Sequence, residues 1–148
     1  MLASVSYIAG FFALGFTVLL ALFRGGRLEK EVAVVVAVAW LASALAPLNG
    51  RVGPAWVLIG IDIALLLYLL YRAAFSRRWW PIFAAAFQLL IVATHFTFAA
   101  RLQLEQWAYF TAYYLWSWGV LVCLAAGALT TPRPGSPPAA SLRPPAGG

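Results

Sequence analysis

Five long stretches almost without charge dominate this chain and constrain its fold more than any other feature. Only the third contains a charged residue, Asp62, and the stretches are 3–23, 32–50, 52–71, 79–100 and 106–132. A helix that crosses a hydrocarbon core of about 30 Å needs roughly 20 apolar residues. Because backbone groups find no water inside a bilayer, and because the stretches lack the alternation of barrel strands, each one predicts a membrane-spanning helix.

Loop-forming residues separate the stretches and set the expected helix ends. Arginine, glycine, asparagine, serine and proline occur between them, at 24–27, 49–54 and 76–78. The predicted fold is an all-α bundle of five transmembrane helices, at about 3–23, 31–48, 54–73, 80–100 and 106–129. Residues 130–148 are rich in proline and glycine, which predicts a disordered cytoplasmic tail.

The distribution of basic residues predicts the orientation of the bundle. With five crossings, eight of the ten basic residues fall on one side of the membrane, while Arg51 and Arg101 fall on the other. By the positive-inside rule the eight are cytoplasmic, so the amino terminus is predicted to be outside and the tail inside. The net charge of +6 is therefore mainly a topology signal. We expect contact with membrane lipid and no binding of nucleic acid.

The composition excludes several classes of protein. Only 9% of the residues are charged, whereas a soluble domain has about 25%, so an ordinary soluble enzyme is excluded. One cysteine and one histidine exclude a disulfide framework, a Cys/His zinc cluster and a bis-histidine haem within a single chain. No catalytic triad, carboxylate pair or phosphate loop is visible. The sequence therefore assigns no catalytic residue, metal or cofactor, and the only ligand it suggests is an unidentified lipophilic molecule.

Asp62 is the residue that most strongly suggests a site. An ionised carboxylate near the middle of a spanning helix costs about 2.5–3.5 kcal/mol, so it is either protonated or faces a partner or a water-filled cavity. Gln88 and His95 lie seven residues apart, on nearly the same face of the fourth helix. On the fifth helix, Tyr113 and Ser117 are one turn apart. These five residues form the predicted buried polar cluster, which acts either as hydrogen-bonded contact between helices or as a ligand site.

Counting from the predicted helix midpoints divides this cluster into two layers. Gln88 and Ser117 lie within roughly 3 Å of Asp62 along the membrane normal, whereas His95 and Tyr113 lie about 6–8 Å nearer the outside. Direct contact between Asp62 and His95 then requires helix tilt or an intervening water. The predicted inner layer is Asp62, Gln88 and Ser117, and the outer layer is His95 and Tyr113, with Thr94 or Thr97 as further members.

The fifth helix is rich in aromatic residues, with seven between positions 107 and 118. Two interpretations remain open: the rings pack against small residues of other helices, or they form a wall for a quinone, carotenoid or acyl chain. The candidate wall residues are Trp107, Tyr109, Tyr114, Trp116 and Trp118. The headgroup regions are the predicted location of four tryptophans: Trp56, Trp79, Trp80 and Trp107, the last of which belongs to both sets.

Small residues recur every four positions on the first and fifth helices. Gly119, Cys123 and Gly127 form one such stripe, and Ala9, Ala13, Thr17 and Ala21 form the other. Such stripes favour close helix packing, either within one chain or between copies. A homo-oligomer or a larger membrane complex is therefore a further expectation.

Several short motifs give the chain a resemblance to known proteins. Arg77-Arg78-Trp79-Trp80-Pro81, Phe87-Gln88-Leu89 and Thr94-His95, together with Asp62, Trp107-Ala108-Tyr109 and Leu115-Trp116-Ser117, resemble a group of small multi-spanning bacterial inner-membrane proteins without an assigned activity. The resemblance covers roughly residues 61–129. It implies a multi-pass location in the bacterial inner membrane and no particular substrate.

Three functions fit these observations. The first is a non-enzymatic accessory or interaction subunit whose polar cluster fixes helix register and holds a small lipophilic ligand. The second is a small proton- or cation-coupled transporter or channel with Asp62 as its titrating group. The third is a membrane enzyme that acts on lipid or quinone.

Overall fold

The computed structural model describes residues 2–46, 56–99 and 106–131, and the side chains of 8–46, 56–98 and 108–131. These residues form five α-helices and no strand, which confirms the all-α prediction for this part of the chain. The helices are α1 (Leu2–Arg24), α2 (Arg27–Leu45), α3 (Trp56–Phe75), α4 (Trp80–Ala99) and α5 (Gln106–Thr130).

The helix ends differ from the prediction most clearly at α2. The predicted start was 31, but the helix begins at Arg27, directly after Gly26 in an extended conformation. The charged residues 27–31 therefore belong to the helix, where Glu29 in the first turn interacts favourably with the positive end of the helix dipole. α3 extends to Phe75, and Thr130, assigned to the tail, is the last residue of α5. Residues 132–148 of the tail, and the predicted ends at 47–48, 54–55 and 100, lie outside the described residues.

The five helices pack as a closed ring. Each helix contacts the next one in the sequence, and α5 contacts α1 and α2 as well as α4. Consecutive helices run in opposite directions, as seen where Arg72 near the end of α3 pairs with Glu31 near the start of α2 at 3.1 Å. At one end of the ring, here named the basic end, lie the carboxyl ends of α1, α3 and α5 and the amino ends of α2 and α4. Six basic residues of the described chain belong to it: Arg24, Arg27, Lys30, Arg72, Arg77 and Arg78.

Three segments are long and apolar enough to cross a membrane, by length and composition, among the described residues. They are Trp56–Phe75, Trp80–Phe98 and Ala108–Thr130. The apolar segment found in α1 is shorter, Ile8–Arg24, and the first turns of α2 carry several charged residues. The described part of the chain is thus helical, with three helices that are long and apolar enough to span a membrane.

Trp80 corrects the predicted location of the tryptophans. Trp56 and Trp79 are largely exposed on the bundle, as side chains at a membrane interface are, but Trp80 has no exposed surface. Its indole Nε1 donates a hydrogen bond of 3.1 Å to Oε1 of Glu29, which is itself buried. Helix periodicity explains the difference, because Trp80 lies on the same face of α4 as buried Ala84 and Gln88.

The small residues of α5 receive aromatic rings from α4. A Cβ atom at Gly127 would lie 2.6 Å from Nε1 of Trp80, and one at Gly119 would lie 2.5 Å from the ring of Phe87. Cys123, between them, is buried in the same core. The stripe therefore lets α4 and α5 approach closely within one chain.

Candidate functional site

Asp62 lies at the centre of a buried hydrogen-bond cluster between α3 and α4. Gln88 Nε2 donates to Asp62 Oδ1 at 2.8 Å and approaches the Asp62 backbone oxygen at 3.3 Å. His95 Nε2 contacts the other carboxylate oxygen, Oδ2, at 2.8 Å. All three side chains are buried, with at most 6% of any residue exposed. Each oxygen of the carboxyl group thus has a polar partner inside the bundle.

The cluster continues from His95 to α5. The hydroxyl of Tyr109 lies 2.8 Å from His95 Nδ1. When Nε2 carries the ring proton, His95 donates to Asp62 and its Nδ1 accepts from the Tyr109 hydroxyl. Three helices are therefore joined by one chain of side chains, here named the polar chain: Gln88, Asp62, His95 and Tyr109.

The direct contact between Asp62 and His95 corrects the two-layer expectation. α3 ends at Phe75 and not at 73, so its midpoint shifts along the sequence and Asp62 lies closer to the end of the bundle that contains His95. Measured from the observed helix midpoints, Asp62 and His95 differ in depth by about two residues, or roughly 3 Å. Neither tilt nor water is needed, and the carboxylate bridges the proposed layers.

Tyr113 and Ser117 lie beside the polar chain but are not hydrogen-bonded into it. Ser117 Oγ donates to the backbone oxygen of Tyr113 at 2.8 Å, within its own helix. The Tyr113 ring contacts His95 edge-on, with ring centroids 5.5 Å apart. Thr94 and Thr97 bond to carbonyl oxygens of α4 itself, so the structure does not bring them into the cluster.

A cavity of about 220 Å³ adjoins the polar chain. All five helices contribute to its wall, which includes the four residues of the polar chain as well as Ser43, Tyr113 and Ser117. Six aromatic side chains complete much of the lining: Phe11, Trp40, Tyr109, Phe110, Tyr113 and Tyr114. The space is mainly apolar with a few polar groups along one wall, which is the usual character of a small-molecule site.

The predicted aromatic wall is divided by the structure. Tyr109 and Tyr114 line the cavity, whereas Trp116 packs against Phe87 of α4, with ring centroids 6.3 Å apart. Trp118 is 42% exposed on the outside of the bundle. The side chain of Trp107 lies outside the described residues. Helix geometry explains the division, because rings spread over consecutive positions of α5 cannot all face one side.

Hydrogen bonds inside the bundle offset the cost of burying an acidic side chain. Insertion of a charged residue at the centre of a spanning helix costs about 2.5–3.5 kcal/mol. A hydrogen bond to a charged group contributes about 1.5–3 kcal/mol, so the bonds from Gln88 and His95 together offset that cost. A buried acid that is fully partnered in this way can remain in the bundle without an ion or ligand.

Sequence reasoning missed two features of the site. Tyr109 was selected as a wall residue and not as a polar partner, although its 14-residue separation from His95 across a short connection would have been a usable signal. Trp40 and Ser43 of α2 also line the cavity. Nothing in the local sequence of α2 indicated them, since their position depends on how α2 packs in the ring.

Comparison of the chain with protein-family models, curated proteins and solved structures found no match.

Proposed function

We propose that this chain is a non-enzymatic integral membrane protein, an accessory or interaction subunit that binds a small lipophilic ligand inside its helix ring. The observation that carries the proposal is the cavity beside Asp62, His95 and Tyr109. Its aromatic lining suits an apolar molecular body, and the Tyr113 hydroxyl, which has no hydrogen-bond partner among the described residues, provides an anchor for a polar group.

Filling the cavity tests this proposal. Ala39 of α2 lines the cavity, whereas Ala42, three residues further along the helix, is exposed. We expect organic extracts of wild-type protein, purified from its native membrane in mild detergent, to contain one small lipophilic compound in a constant molar ratio. Ala39→Phe should lose the compound and Ala42→Phe should retain it. Equal extracts from both variants, or no compound in the wild type, would contradict ligand binding in this cavity.

We also propose that all five helices cross the membrane, with the amino terminus outside and the carboxyl terminus in the bacterial cytoplasm. The grouping of six described basic residues at the basic end supports this orientation. In a Cys123→Ala background, cysteines introduced as Arg51→Cys and Arg101→Cys should react with a membrane-impermeant maleimide on intact spheroplasts. Arg77→Cys should not react until the membrane is opened. Labelling of Arg77→Cys on intact spheroplasts would reverse the orientation.

A second candidate is a small proton- or cation-coupled transporter or channel that uses Asp62 as its titrating group. The direct contact between Asp62 and His95 at the cavity wall favours it, because two titratable groups that share a hydrogen bond can exchange a proton. Asp62→Asn should abolish ion-coupled flux in proteoliposomes if transport is the function. A binding subunit would instead retain its assembly with no flux in either form.

A further inference from the structure

Among the described residues, the wall of the cavity contains one acidic side chain, Asp62, and no lysine or arginine. The other ion pair of the described residues, Glu31 with Arg72, lies at the basic end and does not line the cavity. A positive charge that entered the cavity would meet one carboxyl group and no lysine or arginine side chain of the wall.

The aromatic lining of the cavity also favours a positively charged ligand. Six of the lining side chains are aromatic, and the faces of such rings carry negative electrostatic potential that attracts cations. The effect is stronger where water is excluded. Carboxyl group and aromatic rings together are the combination that recognises organic ammonium ions rather than neutral or anionic molecules.

The titratable groups of the wall limit how the site can balance its charge. They are Asp62 on α3, His95 on α4, and Tyr109, Tyr113 and Tyr114 on α5; the lining residues of α1 and α2 include no acid or base. A net charge buried in apolar surroundings is costly. The empty site therefore avoids it when Asp62 and His95 share one proton, either as carboxylate with imidazolium or as carboxylic acid with imidazole.

From these observations we propose that the cavity takes a small lipophilic organic cation in exchange for one proton held by the Asp62–His95 pair. The proposal rests on the proposed ligand-binding function and names the class of the ligand. The charges balance: the cation brings one positive charge into a neutral site, and one proton leaves to solvent. Asp62 remains as the carboxylate counter-ion and His95 as neutral imidazole, still bonded to Asp62 and Tyr109.

A pair of probes with the same shape and different charge tests the proposal. Phenyltrimethylammonium is a cation that carries no exchangeable proton, and tert-butylbenzene is its neutral counterpart. Binding is measured by calorimetry on the full chain in lipid nanodiscs, in two buffers that differ in ionisation enthalpy, with empty nanodiscs as the blank. We expect the cation to bind with release of about one proton per molecule bound, seen as a buffer-dependent heat. The hydrocarbon should bind at least about tenfold more weakly and release none.

Two variants make the result specific. Asp62→Asn keeps the size of the side chain and should lower the affinity for the cation about tenfold or more, with no proton release. Ala39→Phe should block both probes. Elution as a single species and slow labelling of buried Cys123 show that each variant is folded.

The possible outcomes distinguish a failure of cation exchange from a failure of the proposed ligand-binding function. Equal binding of both probes, binding of the cation without proton release, or wild-type affinity in Asp62→Asn would overturn cation exchange while leaving a ligand-binding cavity in place. Failure of both probes to bind the wild type would also overturn cation exchange. The proposed function is tested separately by the extracts. It fails if Ala39→Phe and Ala42→Phe give equal extracts or if the wild type contains no compound, whatever the probes show.

Discussion

At the scale of single residues, the polar chain explains how a carboxyl group is kept inside an apolar ring of helices. Asp62 accepts from Gln88 and contacts His95, and His95 contacts Tyr109, so that no member faces acyl chains alone. The same contacts fix the registers of α3, α4 and α5 relative to one another. Binding and stability therefore depend on Asp62 in different ways, and substitutions can separate them.

The first prediction compares two replacements of Asp62. Asp62→Asn keeps a hydrogen-bonding group of the same size, so the free energy of unfolding should change by less than about 1 kcal/mol. Asp62→Leu leaves Gln88 and His95 without their acceptor and should cost about 1–3 kcal/mol. Stability is measured by thermal unfolding in detergent, followed through a thiol-reactive dye, because Cys123 is the single cysteine of the chain and is buried. Equal unfolding temperatures for the two variants would show that the contacts around Asp62 add nothing to stability.

Sequence reasoning selected Asp62, Gln88 and His95 because each is a polar residue within an otherwise apolar helix. It did not assign Tyr109 the same role, because Tyr109 is one tyrosine among many aromatic residues and its 14-residue separation from His95 was not used as a signal. The depth of Asp62 was misjudged for a different reason. The observed midpoint of α3 lies about two residues further along the sequence than the predicted one, which changes the depth of Asp62 relative to His95 by about 3 Å.

At the scale of helices, α4 packs most extensively against α5, and at the basic end a side-chain hydrogen bond also links α4 to α2. Trp80 fills the space that Gly127 leaves and donates to buried Glu29. The sequence predicted a small-residue stripe on α5 but placed Trp80 at the membrane surface. Aromatic residues at the start of a spanning helix usually lie at the membrane interface, so the sequence favoured that location for Trp80. Its burial depends on how α4 packs against the other helices, which the sequence does not show.

Adding one methyl group tests the close approach of α4 and α5. Gly127→Ala should destabilise the protein by about 1–3 kcal/mol, because the new Cβ would lie 2.6 Å from the Trp80 ring. Gly60→Ala in α3 is the matched control, since nothing lies within 4 Å of its added Cβ. The control should be neutral or slightly stabilising, because alanine favours the helix more than glycine does. The dye-based unfolding measurement distinguishes them, and equal shifts would mean that α4 and α5 do not touch at this position.

The bond between Trp80 and Glu29 gives a third prediction. Trp80→Phe removes the donor and leaves a buried carboxyl group unpaired, at a cost of about 1–3 kcal/mol. Glu29→Gln keeps an acceptor oxygen for the indole and should cost less. The order of the two unfolding temperatures checks this, and a larger loss in Glu29→Gln than in Trp80→Phe would argue against the hydrogen bond as the stabilising contact.

At the scale of the whole molecule, a closed ring of antiparallel helices places the cavity in the half of the bundle away from the basic end. The number of helices was predictable from the sequence because charge-free stretches are rare outside membrane-spanning segments. The start of α2 could not be predicted in the same way, because the first turns of this helix carry charged residues. The cavity could not be predicted either, since it arises from the contacts of all five helices.

We propose that all five helices cross the membrane, which would place Asp62, His95 and the cavity at membrane depth. The location of the two chain ends tests this proposal most directly. A phosphatase reporter that is active only outside the cytoplasm is fused to the amino terminus, and a fluorescent protein that matures only in the cytoplasm is fused to the carboxyl terminus. Five crossings predict an active phosphatase and a fluorescent carboxyl terminus in the same cells. Both ends in one compartment would contradict five crossings and the proposed orientation.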